Sequence, residues 1–159
     1  MTGESAVAIT CSTRAAGGAY PDRSGPIIVD ALRAWGFEVG DAVVVADGPD
    51  VEAALRAAIS SNAVVVLTTG GTGLTPTDGT PEATQRVVDR LVPGIAEAIR
   101  RAGVQAGVPS AILSRGICGL AGRTLIVNLP GSMGGGSSGL EVLEPVISHA
   151  LRQIQGGGH

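Results

Sequence analysis

Residues 68–80 read TTGGTGLTPTDGT, the densest gathering of groups in this sequence that could act on a phosphate. Three glycines in four positions, Gly70, Gly71 and Gly73, remove side chains where a ligand could approach backbone N–H groups. Threonine hydroxyls, Thr72 among them, add donors. Thr80-Pro81-Glu82 reads as a helix start, with Thr80 as N-cap and Pro81 in the first turn, and a helix N-terminus favours an anion. Asp78 is a carboxylate beside that anion site, which makes sense if Mg²⁺ lies between the two. The spacing is not the GxGxxG of dinucleotide-binding folds, and a P-loop would need a lysine that is absent. A flexible Gly-rich turn would also account for the stretch.

The other candidates stand at the ends of apolar runs. Asp47 follows residues 38–46 (EVGDAVVVA) and could be a turn residue or a helix cap. If the neighbouring strands are adjacent, Asp47 and Asp78 converge at one end of a sheet, and two carboxylates plus substrate phosphates are a common way to hold Mg²⁺. Residues 128–132 (NLPGS) could offer backbone N–H groups and the Ser132 hydroxyl to an anion, or form a plain Pro-Gly turn. Ser12 and Arg14 follow the first apolar run and could bind a phosphate or a polar ring. Arg14 could equally be a solvated surface charge, and Ser114-Arg115 carries the same ambiguity. Cys11 and Cys118 read as small buried hydrophobes, and His149 as a surface or packing residue. No nucleophile–His–Asp set is apparent, so covalent hydrolase chemistry has little support.

These groups need elements to position them. Short β-branched runs at 5–11, 38–46, 63–68 and 123–129 read as strands, the third buried on both faces because it is continuously apolar. Amphipathic stretches at 26–35, 50–61, 93–103 and 140–154 read as helices, as does the stretch from Thr80 through Gln85, Val87, Val88 and Leu91. Residues 130–139 read as a loop. The alternation predicts a three-layer α/β/α sandwich with a mostly parallel central sheet. Ligands sit at the carboxyl ends of strands in such sheets, and four loops leave such ends: after Cys11, at Asp47, after Thr68 and after Leu129.

Composition narrows the chemistry. The 159 residues form one expected domain, 1–159, with its core at about 5–155. All basic residues are Arg, which removes Schiff-base chemistry and a lysine general base. The formal charge is −3 and no basic stripe with interleaved aromatics appears, so a nucleic-acid partner is not expected. The two cysteines match no metal spacing. No basic leader is visible, and no apolar run reaches the roughly 18 residues of a membrane helix. A soluble, reduced, cytoplasmic protein without a membrane partner is expected.

Taken together, residues 68–84, Ser114-Arg115 and residues 125–132 (LIVNLPGS) resemble the MogA/MoaB family of molybdenum-cofactor biosynthesis, to which the gephyrin G domain is related. Ser12-Thr13-Arg14 with Gly18-Ala19-Tyr20 fits the family's first loop, and Pro93-Gly94 with Glu97 and Arg100 fits its Pro-Gly-x-x-Glu-x-x-Arg segment. The likeness runs from about residue 5 to residue 151. It implies an α/β sandwich, a homotrimer, and Mg²⁺-dependent transfer of AMP from ATP to molybdopterin, giving adenylyl-molybdopterin and pyrophosphate. It assigns catalysis and the metal to Asp47 and Asp78. It implies substrate contacts from Ser12, Arg14, Gly70, Gly71, Thr72, Gly73, Thr80, Glu97, Ser114, Arg115, Pro130, Gly131 and Ser132. Two departures stand out. Thr77 replaces an arginine common in the glycine loop, and Gly134 replaces a lysine. A lost charged hydrogen bond costs roughly 1.5–3 kcal/mol. The alternative expectation is therefore a MoaB-like paralogue that binds molybdopterin without adenylyl transfer.

Overall fold

The computed structural model describes residues 3–158. In chain order the elements are β1 (Ala6–Cys11), α1 (Thr13–Ala16), α2 (Ser24–Ala34), β2 (Val43–Val45), α3 (Pro49–Ser60), β3 (Val65–Thr69), α4 (Thr80–Val87), β4 (Arg90–Leu91), α5 (Pro93–Gln105), a 3₁₀ turn (Pro109–Leu113), β5 (Cys118–Ala121), β6 (Thr124–Leu129) and α6 (Met133–Ile154). The six strands form one sheet in the order β2-β1-β3-β6-β5-β4. β2, β1, β3 and β6 run parallel, while β5 is antiparallel to both its neighbours.

Side chains alternate across the sheet with the strand period of two. Ala6, Ala8, Val65, Leu67, Leu125 and Val127 face a core shared with Ile28 and Leu32 of α2, Ile99 of α5, and Leu143 and Ile147 of α6. Ile9, Cys11, Val66 and Ile126 face a second core with Val51 and Leu55 of α3 and Ala83 of α4. The sheet is thus covered on both sides, as a parallel sheet of continuously apolar strands requires. The expected three-layer sandwich is the observed one.

Register sets the site. Cys11 pairs with Val45, Thr10 with Thr69, and Thr69 with Leu129. Four parallel strands therefore end at one edge, and the loops that follow all leave from it. β1 lies between β2 and β3, so the chain turns outward on either side of it, the arrangement that opens a crevice at the strand ends.

Local boundaries differ from the sequence expectation in four places. β2 covers only three residues, with an isolated bridge between Ser5 and Glu38 before it. The helix from Thr80 ends at Val87, and Leu91 belongs to a strand. There the backbone finds partners on β5: Asp89 N–H donates to Leu120 O at 2.7 Å and Val92 N–H to Cys118 O at 2.8 Å. The N-cap of α4 is Gly79, and Thr80 is the first helical residue. α6 starts at Met133, seven residues before the expected 140, and Ser132 caps it by accepting from Gly135 N–H at 3.2 Å. Each glycine costs a helix roughly 1 kcal/mol relative to alanine. The cap and the buried Leu140, Leu143, Ile147 and Leu151 outweigh that cost at this end.

Candidate functional site

Two backbone strands of the site touch with no side chain between them. A Cβ on Gly70 would stand 2.3 Å from Cys11 O, and one on Gly131 would stand 3.1 Å from Gly70 Cα. Gly70 and Gly71 have φ of +92° and +68°, a region that L side chains seldom adopt. The loop after β3 can therefore fold flat between the ends of β1 and β6.

The resulting ridge separates two clefts. The larger, about 600 Å³, is lined by Gly71, Thr72, Gly73, Asp78, Ser114, Pro130, Gly131 and Ser132, with apolar walls from Ile99, Val108 and Leu113. The smaller, about 310 Å³, is lined by Ser12, Tyr20, Asp22, Arg23, Ser24, Gly70 and again Gly131. Nine of the thirteen expected substrate contacts therefore line one cleft or the other. Arg14 lies exposed on α1 and Glu97 exposed on α5, and both stand outside the two linings, as do Thr80 and Arg115.

The two aspartates flank the same loop. Asp47 Oδ2 accepts from Thr13 Oγ1 at 2.9 Å and from Thr13 N–H at 3.3 Å. Its other oxygen, Oδ1, is buried without a hydrogen-bond partner and lies 3.0 Å from where a Gly71 Cβ would stand. Asp78 Oδ2 accepts from Thr75 N–H at 3.2 Å and lies 2.8 Å from the Cβ position on Gly73. Gly71 and Gly73 are two residues apart, at most about 7 Å along the chain. The carboxylates thus approach one short backbone segment from its two ends. Among the described residues no cluster of three or more His, Cys, Asp or Glu could enclose a metal.

Thr80 is 1% exposed, and its Oγ1 also lacks a hydrogen-bond partner. It stands 2.2 Å from the Gly71 Cβ position, on the side of Asp47 Oδ1. Cys11 borders the same pocket of buried polar atoms. Burial pushes its thiol up to about 11, with the Thr80 hydroxyl pulling the other way and the Asp47 charge adding to the rise.

Arg115 acts within the protein. Its Nε donates to Gly73 O at 2.9 Å, its Nη2 to Asp78 O at 2.9 Å, and its Nη1 pairs with Glu82 on α4. The hydrogen bond from Arg115 holds the Glu82 carboxyl below the usual carboxylate range.

The roles of several residues near the site escaped the sequence reading, which took Asn128 only as part of the 128–132 loop. Asn128 is 2% exposed and joins three elements: its Nδ2 donates to Thr68 Oγ1 at 3.0 Å and Thr84 Oγ1 at 2.9 Å, and its Oδ1 accepts from Ile117 N–H at 3.1 Å. Thr84 in turn donates to Thr80 O at 2.8 Å, so the network reaches the start of α4. An asparagine inside an apolar strand was the available signal, because a buried amide must find partners. Asp22 ties β1 to α2 by accepting from Thr10 Oγ1 at 2.9 Å and Gly25 N–H at 3.1 Å. Nothing in the sequence marked that pairing.

Comparison with known proteins bears on the same residues. The family described as "Probable molybdopterin binding domain" matches residues 7–149. A "Molybdenum cofactor biosynthesis bifunctional protein" of Synechococcus elongatus is 40% identical over 160 residues, covering 100% of this chain and 50% of its own length. This chain thus spans about half of that relative. A "Molybdopterin adenylyltransferase" of Helicobacter pylori is 34% identical over 152 residues, 93% of this chain and 86% of that protein. A solved structure described as the molybdopterin biosynthesis Mog protein from Mycobacterium ulcerans superposes with a TM-score of 0.91 at 53% identity, covering 95% of this chain and 99% of that one. The glycine ridge, the strand-end clefts and these matches agree: the chain belongs to the MogA/MoaB family of molybdopterin-binding domains.

Proposed function

We propose that this chain is a molybdopterin adenylyltransferase of molybdenum cofactor biosynthesis, moving AMP from ATP to molybdopterin with release of pyrophosphate. The observation that carries this reading is the pair of carboxylates, Asp47 and Asp78, set against Gly71 and Gly73 of one loop. Two clefts that share the Gly70–Gly131 ridge suit a reaction joining two substrates. The names of the full-length relatives support the same chemistry.

In this reading a terminal phosphate oxygen of molybdopterin bonds to the α-phosphorus of ATP. The bridging bond to the β-phosphate breaks, and pyrophosphate leaves with that electron pair. The nucleophile is already an anion at neutral pH, so no general base is required. Positioning and charge neutralisation carry the reaction, as in other phosphoryl transfers. The glycine loop offers backbone N–H groups, and Ser132 caps the start of α6 at the rim of the larger cleft. Mg²⁺ fits the donor set, because Asp47 Oδ1 is a buried carboxylate oxygen without a protein partner. Two carboxylates, with no third acidic ligand among the described residues, leave room for water and substrate oxygens, which Mg²⁺ prefers to a closed protein cage. When bound, the ion would offset charge on the ATP phosphates. A homotrimer and a cytoplasmic location belong to the same reading, and the two unpaired cysteines accord with a reducing compartment.

Replacing Asp78 by Ala is expected to lower adenylyl transfer by about 10²-fold or more while circular dichroism stays unchanged. Full turnover in Asp78→Ala would remove the proposed metal role. A second reading, a paralogue that binds molybdopterin without transferring AMP, is favoured by Thr77 and Gly134 in place of the family's arginine and lysine. Tight molybdopterin binding without product in the unaltered protein would select it.

A further inference from the structure

The tip of the glycine loop has little to hold it. Leu74 is 65% exposed, and Thr75, Pro76 and Thr77 are exposed as well. Apolar burial therefore does not fix the place of Asp78, which follows directly.

What spans the loop is Arg115. Its backbone N–H donates to Thr72 O at 2.8 Å, its Nε to Gly73 O and its Nη2 to Asp78 O. Its Nη1 pairs with Glu82, in the first turn of α4. One side chain thus ties the start of the loop, its end and the helix beyond. The base of that side chain is fixed in turn. Arg100 Nη1 donates to Gly116 O at 2.9 Å and Ser114 O at 3.3 Å, and Asn128 Oδ1 accepts from Ile117 N–H. All three guanidinium nitrogens are committed within the protein, and Arg115 lines neither cleft.

We infer that Arg115 is a positioning residue for Asp78: its guanidinium fork fixes the curvature of the 72–78 loop and does not contact substrate phosphate. This deepens the adenylyl-transfer reading and rests on it where turnover is concerned. Lysine cannot replace the fork, because an ammonium is a point charge and cannot meet two carbonyls and a carboxylate in one plane. Glu82 holds the third tine. Losing its charge loosens the clamp and leaves both carbonyl bonds in place.

The test uses Arg115→Lys and Glu82→Gln beside the unaltered protein, with two readouts. Amide hydrogen exchange of peptides covering 70–80, without ligands, is expected to quicken about tenfold in Arg115→Lys and less in Glu82→Gln, with helical circular dichroism retained. In turnover, kcat is expected to fall roughly tenfold to a hundredfold in Arg115→Lys, with KM for ATP and molybdopterin within about twofold of the unaltered protein. Unchanged loop exchange, with a raised KM and an intact kcat, would overturn the inference and make Arg115 a substrate contact. Should Arg115→Lys fail to fold, Glu82→Gln decides the question by the same two readouts. If the unaltered protein makes no product, the adenylyl-transfer reading fails alone, and the exchange measurement still judges Arg115.

Discussion

Asn128 holds β6, β3 and α4 together through a single buried amide. Removing it leaves the Thr68 and Thr84 hydroxyls and the Ile117 N–H short of a partner. Each buried polar group left unpaired costs roughly 1–3 kcal/mol. Asn128→Ala is therefore expected to lower the urea midpoint clearly, whereas Thr84→Ser, which keeps the acceptor, changes it far less. Equal midpoints for Asn128→Ala and the unaltered protein would show that the network carries no stability. At this scale the sequence revealed the chemically loud residues. Asp78 stood out as a carboxylate among glycines beside a helix start, whereas Asp47 alone read equally as a turn residue or helix cap and gained its role from the family resemblance. Thr80 was legible as a helix start, but the packing of its hydroxyl against Gly71 was not, because burial depends on how the loop folds across it. Arg115 was legible as a charge near the site and not as a loop clamp, since its partners lie 33 to 42 residues away.

The glycine loop works as an element because it can lie against the backbone of its neighbours. Gly70 combines φ of +92° with a Cβ position 2.3 Å from Cys11 O, so alanine there meets both a strained conformation and a main-chain atom that cannot step aside. Strained backbone of this kind costs about 1–3 kcal/mol. Gly79, at the start of α4, has φ of −139° and open space around its Cβ position. Thermal unfolding should therefore show Gly70→Ala clearly destabilised and Gly79→Ala close to the unaltered protein. Similar melting of the two variants would show that the close approach of the loop to β1 does not restrict position 70. The elements themselves were readable where hydrophobic pattern decides. β3 and β6 are rich in apolar, β-branched residues, and α3 and α5 keep helical spacing. They were unreadable where tertiary packing overrides propensity. The glycines of α6 conceal its first seven residues, and β4 exists only because β5 lies beside it.

Across the whole molecule, one sheet edge carries every loop of the site, and its two buried cysteines tie fold stability to pH. Burial pushes the Cys118 thiol from 9.0 up to about 12. A group whose folded value is raised stabilises the fold fully below its unfolded value and loses that contribution as pH rises through the folded one. Stability should therefore fall from about pH 9 upward, and Cys118→Ala should show a shallower fall over that range when denaturant midpoints are compared. Parallel pH profiles for the two proteins would remove Cys118 from the account. The sandwich and its parallel centre were legible from strand–helix alternation alone, because a sheet apolar on both faces must be covered on both. The division of its edge into two clefts was not, because it depends on Gly70 meeting Gly131 across 61 residues of chain.

Adenylyl transfer is measurable on the unaltered protein. The unaltered protein is mixed with molybdopterin, ATP and Mg²⁺, and pyrophosphate and adenylyl-molybdopterin are followed together, with each component omitted in turn. Both products are expected in equal amounts, and only when all three components are present. Bound molybdopterin with neither product, in a folded protein, would contradict adenylyl transfer.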